Sequence, residues 1–400
     1  MYSKEGAGIV ASRPTFAPGL DVHGKHIDGA EARRIAWEKM PLFADSAKQV
    51  IARIQAETRQ DYVVKASDLR MKSDGTLTWA LKDSKVPALY MERRGLYLLL
   101  ARLSGGVFSS SFQTLWRASA SARAVIFNDL MSSRAAAFYA KTTLKLRTRI
   151  TGNDGAARTI YAVVSSRYPS VYDADHYLAD VRLMVKKASP VARGRVIYDP
   201  TTTRLRFEAV WDEYAKPTKR DVFRLSLNGS THDDASGRYR LWAGAVSQNG
   251  NYYPLVRRDD LLSRVHRGKG QNVKAEIDGA IKAGIEAIKP FLKQWAFWRG
   301  APVGQVVMFG EQWDTVPEAL GALVSSGRFR VVGDVQDAMA ALLRSWGLNA
   351  ADESVAALVS TLSGCIGTVT NAEANAAHED ALCMFMSELE GAMSAKVAAK

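Results

Sequence analysis

The chain has 400 residues, 47% of them hydrophobic and 24% charged, which is ordinary for a globular protein and long enough for two or three domains. No run of 18 apolar residues occurs, which excludes a membrane-spanning helix, and Cys365 and Cys383 are too few for a disulfide framework or a cysteine-rich zinc module. Net charge is +13, and residues 131–270 carry most of it, with 25 Lys+Arg against 13 Asp+Glu. Residues 1–130 are at +6 (19 against 13) and residues 271–400 at −5 (10 against 15). A central segment this basic attracts polyanions, nucleic acid ahead of anionic membrane.

Residues 1–28, rich in Gly, Pro and His, read as an extended arm without the basic-then-apolar order of a secretory signal. With the low cysteine content, this predicts a cytoplasmic setting. Residues 30–58 have helical periodicity interrupted near Pro41. Short strands are expected at 62–64 and 76–81 around an Asp74-Gly75 turn, and helices at 88–103 and 119–139. Residues 1–140 therefore form a mostly helical first region.

The pattern changes at 141. In KTTLKLRTRI, Leu144, Leu146, Thr148 and Ile150 alternate with Lys145, Arg147 and Arg149, and Gly152-Asn153-Asp154-Gly155 turns the chain into a strand at 159–164. A helix follows over 173–187, with Asp173 as N-cap and Ala174, Tyr177, Leu178, Val181, Met184 and Val185 on one stripe. Strands at 194–198, 203–211 and 221–227 repeat the alternation. Leu205, Phe207, Ala209 and Trp211 oppose Arg204, Arg206 and Glu208, while Phe223, Leu225 and Leu227 oppose Arg224 and Ser226. In RYRLW, Arg238 and Arg240 share a face that Tyr239 and Leu241 do not. Antiparallel strands with one packed and one wet face produce this pattern, and here the wet face is arginine and lysine. Residues 141–270 thus form a basic β-rich core.

From 271 to 400 the chain reads as helical. Val273, Ile277, Ile281, Ile285 and Ile288 step along a helix that Pro290 is expected to end, followed by an aromatic cluster of Phe291, Trp295, Phe297 and Trp298. Further helices fit 316–325, 334–346, 352–363 and 371–398. The overall expectation is an α+β fold: a central antiparallel sheet with one basic face, flanked by helices, plus a helical C-terminal region.

Chemistry is harder to find than charge. No phosphate-cradling Gly-Lys-Ser/Thr loop or dinucleotide fingerprint occurs, and no cofactor is expected. His176 with Asp173 and Asp180 shares one side of a helix, and those residue types suit Mg2+ or Mn2+, as in metal-dependent nucleases. A capped amphipathic helix explains the same residues. His232, Asp233 and Asp234 could supply an acid–base pair, yet adjacent residues of a turn seldom aim at one atom. No Gly-x-Ser-x-Gly elbow is present, and Cys365 and Cys383 sit on apolar helical patterns.

Nucleic-acid binding fits better. Single-strand binders combine a positive groove with aromatic side chains for base stacking. Lys145, Arg147, Arg149, Arg204, Arg206, Arg224, Arg238 and Arg240 are the strand candidates for phosphate contacts. Arg257, Arg258, Arg264, Arg267 and Lys269 extend the charge, and Tyr161 and Tyr252 are the candidates for stacking.

Residues 226–242 (SLNGSTHDDASGRYRLW), then Ser247-Gln248-Asn249-Gly250 and RRDDLLSRVHRG, resemble the core of an uncharacterised family carried by phages and plasmids. Its marks are a polar Asn/Ser stretch with Gly, an arginine-bearing strand, an Asn-Gly often preceded by Cys-Thr, and an Arg-His-Gly element, here Arg264-Val265-His266-Arg267-Gly268. YAVVSSRYPSV (161–171) resembles its upstream strand. The resemblance spans about 150–290. It departs at Ser247, where many members have Cys-Thr nearby, so no thiol role carries over. The resemblance implies a mobile-element origin and a cytosolic setting. By analogy with basic α+β phage proteins that coat or anneal single strands as rings, it also suggests a homo-oligomer binding single-stranded DNA, with no membrane partner. A metal-dependent nuclease, and an assembly or host-defence-inhibitor protein docking on an acidic partner, are the other function classes.

Overall fold

The α+β architecture resolves into two six-stranded sheets, one of them the antiparallel sheet flanked by helices that the strand alternation predicts, and a helical C-terminal region. The computed structural model describes residues 39–57, 59–79, 86–104, 112–132, 142–151, 157–166, 174–200, 203–232, 238–248, 250–256, 261–265, 273–308, 311–326, 353–367 and 372–398. The expected arm, the 334–346 helix, the cap Asp173, the turn at 152–155 and Asp233-Asp234 lie outside those residues, while the strand expected to stop at 227 runs on through Asn228-Gly229 to His232.

The first half of the chain runs α1 (Phe43–Ala56), β1 (Arg59–Lys65), β2 (Arg70–Met71), β3 (Thr76–Thr78), β4 (Ala88–Met91), α2 (Arg93–Ser104), α3 (Phe112–Arg117) and α4 (Ala120–Ser132). Next come β5 (Thr143–Thr151), β6 (Ala157–Ser165), α5 (Ala174–Ala188), β7 (Arg193–Asp199), β8 (Arg204–Ala215) and β9 (Phe223–His232). Then follow β10 (Arg238–Ser247), β11 (Tyr252–Pro254), β12 (Leu262–Val265), α6 (Val273–Gly300), β13 (Val307–Met308), β14 (Glu311–Gln312), α7 (Val316–Ser325), α8 (Val355–Gly367) and α9 (Ala372–Ala398).

The first sheet has the order β1-β5-β6-β4-β3-β2, antiparallel except for the β4–β6 pair. It joins 59–91 to 143–165 and so crosses the 140/141 boundary drawn from composition. Period-2 patterning identifies a strand but does not name its partner. Helix α2 lies on this sheet, where Gly95 meets the Ile160 carbonyl so closely that a Cβ would overlap it. Asn128 of α4 both accepts from the Met71 amide and donates to its carbonyl, at 2.9 Å each. The core here includes Leu77, Leu89, Leu99, Phe127, Leu146 and Ile160.

The second sheet has the order β11-β10-β9-β8-β7, with β12 also paired to β10. One face packs under α1, α5 and the first half of α6, with Leu205, Phe207, Ala209, Leu227, Tyr239 and Leu241 facing Phe43, Tyr177, Val181 and Ile281. The stripe predicted for α5, from Ala174 to Val185, is buried as the periodicity requires. Phe207 needs room over β9, and Gly229 supplies it, since a Cβ there would overlap the ring.

Pro290 does not end α6, which continues to Gly300. A proline inside a helix costs about 3 kcal/mol through its missing N–H and ring clash. Burial of Phe291, Trp295 and Trp298, one helical face beyond it, offsets that cost. Helix α6 therefore enters two cores: Ile277 and Ile281 join the sheet layer, and Phe291, Trp295 and Trp298 join the C-terminal helices. Among the described residues, no helix is long and apolar enough to cross a membrane.

Candidate nucleic-acid interface

The predicted cations divide between the two sheets, and their surroundings differ. On β5, Lys145 and Arg147 are buried at 8% and 2% exposure, not wet as the alternation implies. Register explains this: Asp61 of β1 lies opposite Arg147, with Arg147 Nε 3.4 Å and Lys145 Nζ 3.9 Å from its carboxylate. Arg149 pairs with Glu92 at 2.5 Å and donates to the Pro200 carbonyl beyond β7. Tyr161, expected to stack bases, is 1% exposed. It sits where the β5–β6 register slips past Arg147, and Arg59, Arg147 and Arg149 stand 5.5–5.9 Å from its ring centre. Arg59 reaches across to Tyr198 of β7 at 2.7 Å. These residues form a charged seam that joins the sheets, and burial removes Lys145, Arg147 and Tyr161 from any surface a strand of nucleic acid could reach.

The second sheet keeps its arginines outward. Opposite its packed face, one cross-strand row contains Asp199, Arg204 and His232. The next contains Ile197, Arg206, Ser230, Arg240 and Ser263. Arg238 lies two residues from Arg240 on the same face, exposed, and donates to Ser263 Oγ at 3.2 Å. Neighbouring strands are about 4.8 Å apart and alternate residues about 6.6 Å, so Arg204, Arg206, Arg238 and Arg240 occupy one patch. Arg204, Arg206 and Arg240 are half-buried. Asp199 stands opposite Arg204 in the outer row, and Glu208 pairs with Arg195 at 3.6 Å one row further in. Arg204 Nε donates to His232 Nε2 at 3.1 Å, so that nitrogen carries the lone pair and the ring serves to hold an arginine.

The remaining candidates fall elsewhere. Arg224 is on the same face but six residues from Ser230, about 20 Å along the strand. Its guanidinium lies 5.9 Å from the ring of exposed Tyr214, and burial pushes its pKa down while Asp212 pulls it back up. Between Arg224 and the patch the face is closed: Ser226, Asn228 and Tyr252 are buried. The Tyr252 ring covers Gly244, and its hydroxyl accepts from Asn228 at 3.3 Å. Its carbonyl accepts from Ser363 of α8 at 2.8 Å, so Tyr252 wedges the C-terminal helices onto the sheet and cannot stack a base. Arg264 pairs with Tyr239 in register, not with Arg240. Arg257, Arg258, Arg267 and Lys269 lie outside the described residues, as do Asp173, Asp233 and Asp234.

No family model matches the chain, and no curated protein or solved structure matches it either.

For the catalytic alternatives, His176 is exposed and its Nδ1 is 3.2 Å from the neighbouring Asp175 carboxylate. Among the described residues, no group of three or more His, Cys, Asp or Glu side chains is arranged to hold a metal ion. Cys365 and Cys383 are buried, and burial pushes the Cys365 thiol up to about 12, far from a nucleophile's range.

One feature escaped the sequence reading. A cleft of about 720 Å3 opens where β4 enters α2, lined by Arg93, Arg94, Tyr97, Phe112, Trp116 and Arg149. Tyr97 and Phe112 meet edge to face at 5.5 Å, with Arg94 5.6 Å over the Tyr97 ring and Arg93 5.9 Å over Phe112. Arg93 and Tyr97 are exposed. The adjacent arginines and Tyr97 of MERRGLY were a visible signal, but Phe112 and Trp116 come from α3, some twenty residues later.

Proposed function

We propose that this chain binds single-stranded DNA without cleaving it, through the arginine patch formed by Arg204, Arg206, Arg238 and Arg240 on the open face of the second sheet. The observation that carries the reading is the placement of these arginines in adjoining rows, on a rigid sheet whose other face is packed under three helices. Guanidinium groups spaced along neighbouring strands suit a flexible chain of phosphates, and such contacts are nearly independent of base sequence. The central charge excess supports the same reading. The resemblance at 226–268 supports it too, and the proposal includes a phage or plasmid origin, a host-cytoplasm setting and a homo-oligomer.

The test is fluorescence anisotropy with a labelled single strand over a salt series. Affinity should fall as salt rises, with a log–log slope near −0.7 for each phosphate contact on a single strand. Arg206→Gln combined with Arg240→Gln should weaken binding at least tenfold and flatten the slope by about 1.4. Absence of binding at low salt, or a slope of zero, rejects the proposal. Loss of intact strand on incubation with Mg2+ or Mn2+ would favour a nuclease instead.

A further inference from the structure

The open sheet face offers cations but little to recognise a base, since Tyr161 and Tyr252 are both buried. The cleft at the start of α2 offers the complementary chemistry. Its apolar wall is aromatic, with Tyr97, Phe112 and Trp116, and its cations are Arg93, Arg94 and Arg149. One carboxylate, Glu92, also lines the cleft, and Arg149 engages its Oε1. The lining is therefore aromatic inside and net positive, which suits a planar ring carrying a negative charge. A volume of about 720 Å3 is within the range of small-molecule sites and leaves room for a nucleotide.

Two further observations favour a nucleotide over another aromatic anion. The arginines already lie over rings, Arg94 on Tyr97 and Arg93 on Phe112, and bases stack on guanidinium planes as readily as on aromatic faces. The wall is also held in place: Arg123 lies 4.9 Å over the Trp116 ring and donates to the carbonyls of Leu115, Trp116 and Ala118, fixing the end of α3.

Position connects the cleft to the arginine patch. Arg149, in the cleft lining, donates to the Pro200 carbonyl, and Pro200 follows Asp199, which pairs with Arg204 in the outer row of the patch. Arg149 thus ties the cleft to the end of β7, the strand next to β8 of the patch.

We infer that the cleft receives a nucleobase of a bound single strand, stacked against Tyr97 and Trp116 with its phosphate held by Arg93 and Arg94. This rests on the single-strand reading above, and adds a base-recognition site to a surface that otherwise reads only phosphates.

The full-length protein is titrated with a deoxyadenylate strand and with an abasic strand of equal length. The wild type should prefer the base-bearing strand by about tenfold, since one stacked base contributes roughly 1–3 kcal/mol. Tyr97→Ala, at an exposed position, and Arg94→Gln should each remove most of that preference. Equal affinity of the wild type for the two strands, or a preference that survives both substitutions, overturns the inference while leaving the patch intact. Should neither strand bind at low salt, the patch reading fails, and free deoxyadenosine monophosphate judges the cleft alone. Quenching of tryptophan fluorescence that Tyr97→Ala weakens about tenfold upholds a nucleotide site, and no binding overturns it.

Discussion

Arg147 and Arg206 look alike in the sequence: each lies on a strand, flanked at two residues by another cation, opposite an apolar face. Their burial differs: Arg147 is 2% exposed and Arg206 is half-buried. Asp61 stands across from Arg147 and accepts its Nε, whereas the cross-strand neighbours of Arg206 are Ile197 and Ser230. Removing one partner of a buried ion pair typically costs 3–5 kcal/mol, because the other charge stays desolvated. Asp61→Asn should therefore lower stability by about 3 kcal/mol in urea denaturation and leave single-strand affinity within twofold of wild type. Arg206→Gln should do the reverse. A loss of binding in a still-folded Asp61→Asn variant would mean that the seam, not the patch, touches DNA.

Between elements, the ties that matter are polar contacts of high sequence separation. Arg299, at the end of α6, donates to both carboxylate oxygens of Asp221, at the entry to β9, with Nε 3.0 Å from Oδ2. Burial alone would raise the pKa of Asp221. Hydrogen bonds from Arg299 and Thr218 and the charge of Arg299 outweigh it and hold the carboxyl below its usual range. A carboxyl with a depressed folded pKa contributes stability that is present above its unfolded pKa, near 3.9, and lost as pH falls through the folded value. Stability should thus decline below about pH 4, and Asp221→Asn should reduce the steepness of that decline while lowering stability at pH 7. Urea midpoints measured from pH 7 to pH 2.5 check this. An identical pH profile in the variant would show that Asp221 is not the group involved. The same packing logic accounts for Pro290: the residues that make α6 continue are its aromatic contacts, which no local propensity contains.

Across the two sheets, the apolar cores are distinct. One lies under the first sheet with α2, α3 and α4, while the cores on and beyond the second sheet are stitched together by α6. Among the described residues, Arg59, Arg149, Glu92 and Tyr198 form a polar seam between the halves. The apolar cores of the two sheets are separate clusters, so the halves should open separately. Hydrogen exchange in moderate urea is expected to release β5 and β6 at a different denaturant concentration from β8, β9 and β10. Glu92→Gln should shift only the first of these. One coincident transition for all five strands would show that the seam couples them fully.

Much of this was legible without coordinates. Alternation located strands β5 and β7 to β10, the apolar stripe of α5 and the start of α6 were visible from period alone, and the α+β class followed. Those are local properties, set by neighbours two to four residues apart. Which arginine-bearing face meets water was not legible, because a face is dried or wetted by whatever packs on it. Asp61 and Glu92 come to β5 from 86 and 57 residues away. The cleft was hidden for the same reason: two arginines at the start of α2 and aromatic side chains from α2 and α3 become one site only when both helices pack beside β5. The amino-acid order by itself determined the elements and the charge each carries. Only tertiary structure decided that the charge on β5 holds the sheets together while the charge on β8 and β10 faces outward, because solvation depends on partners that sequence distance conceals.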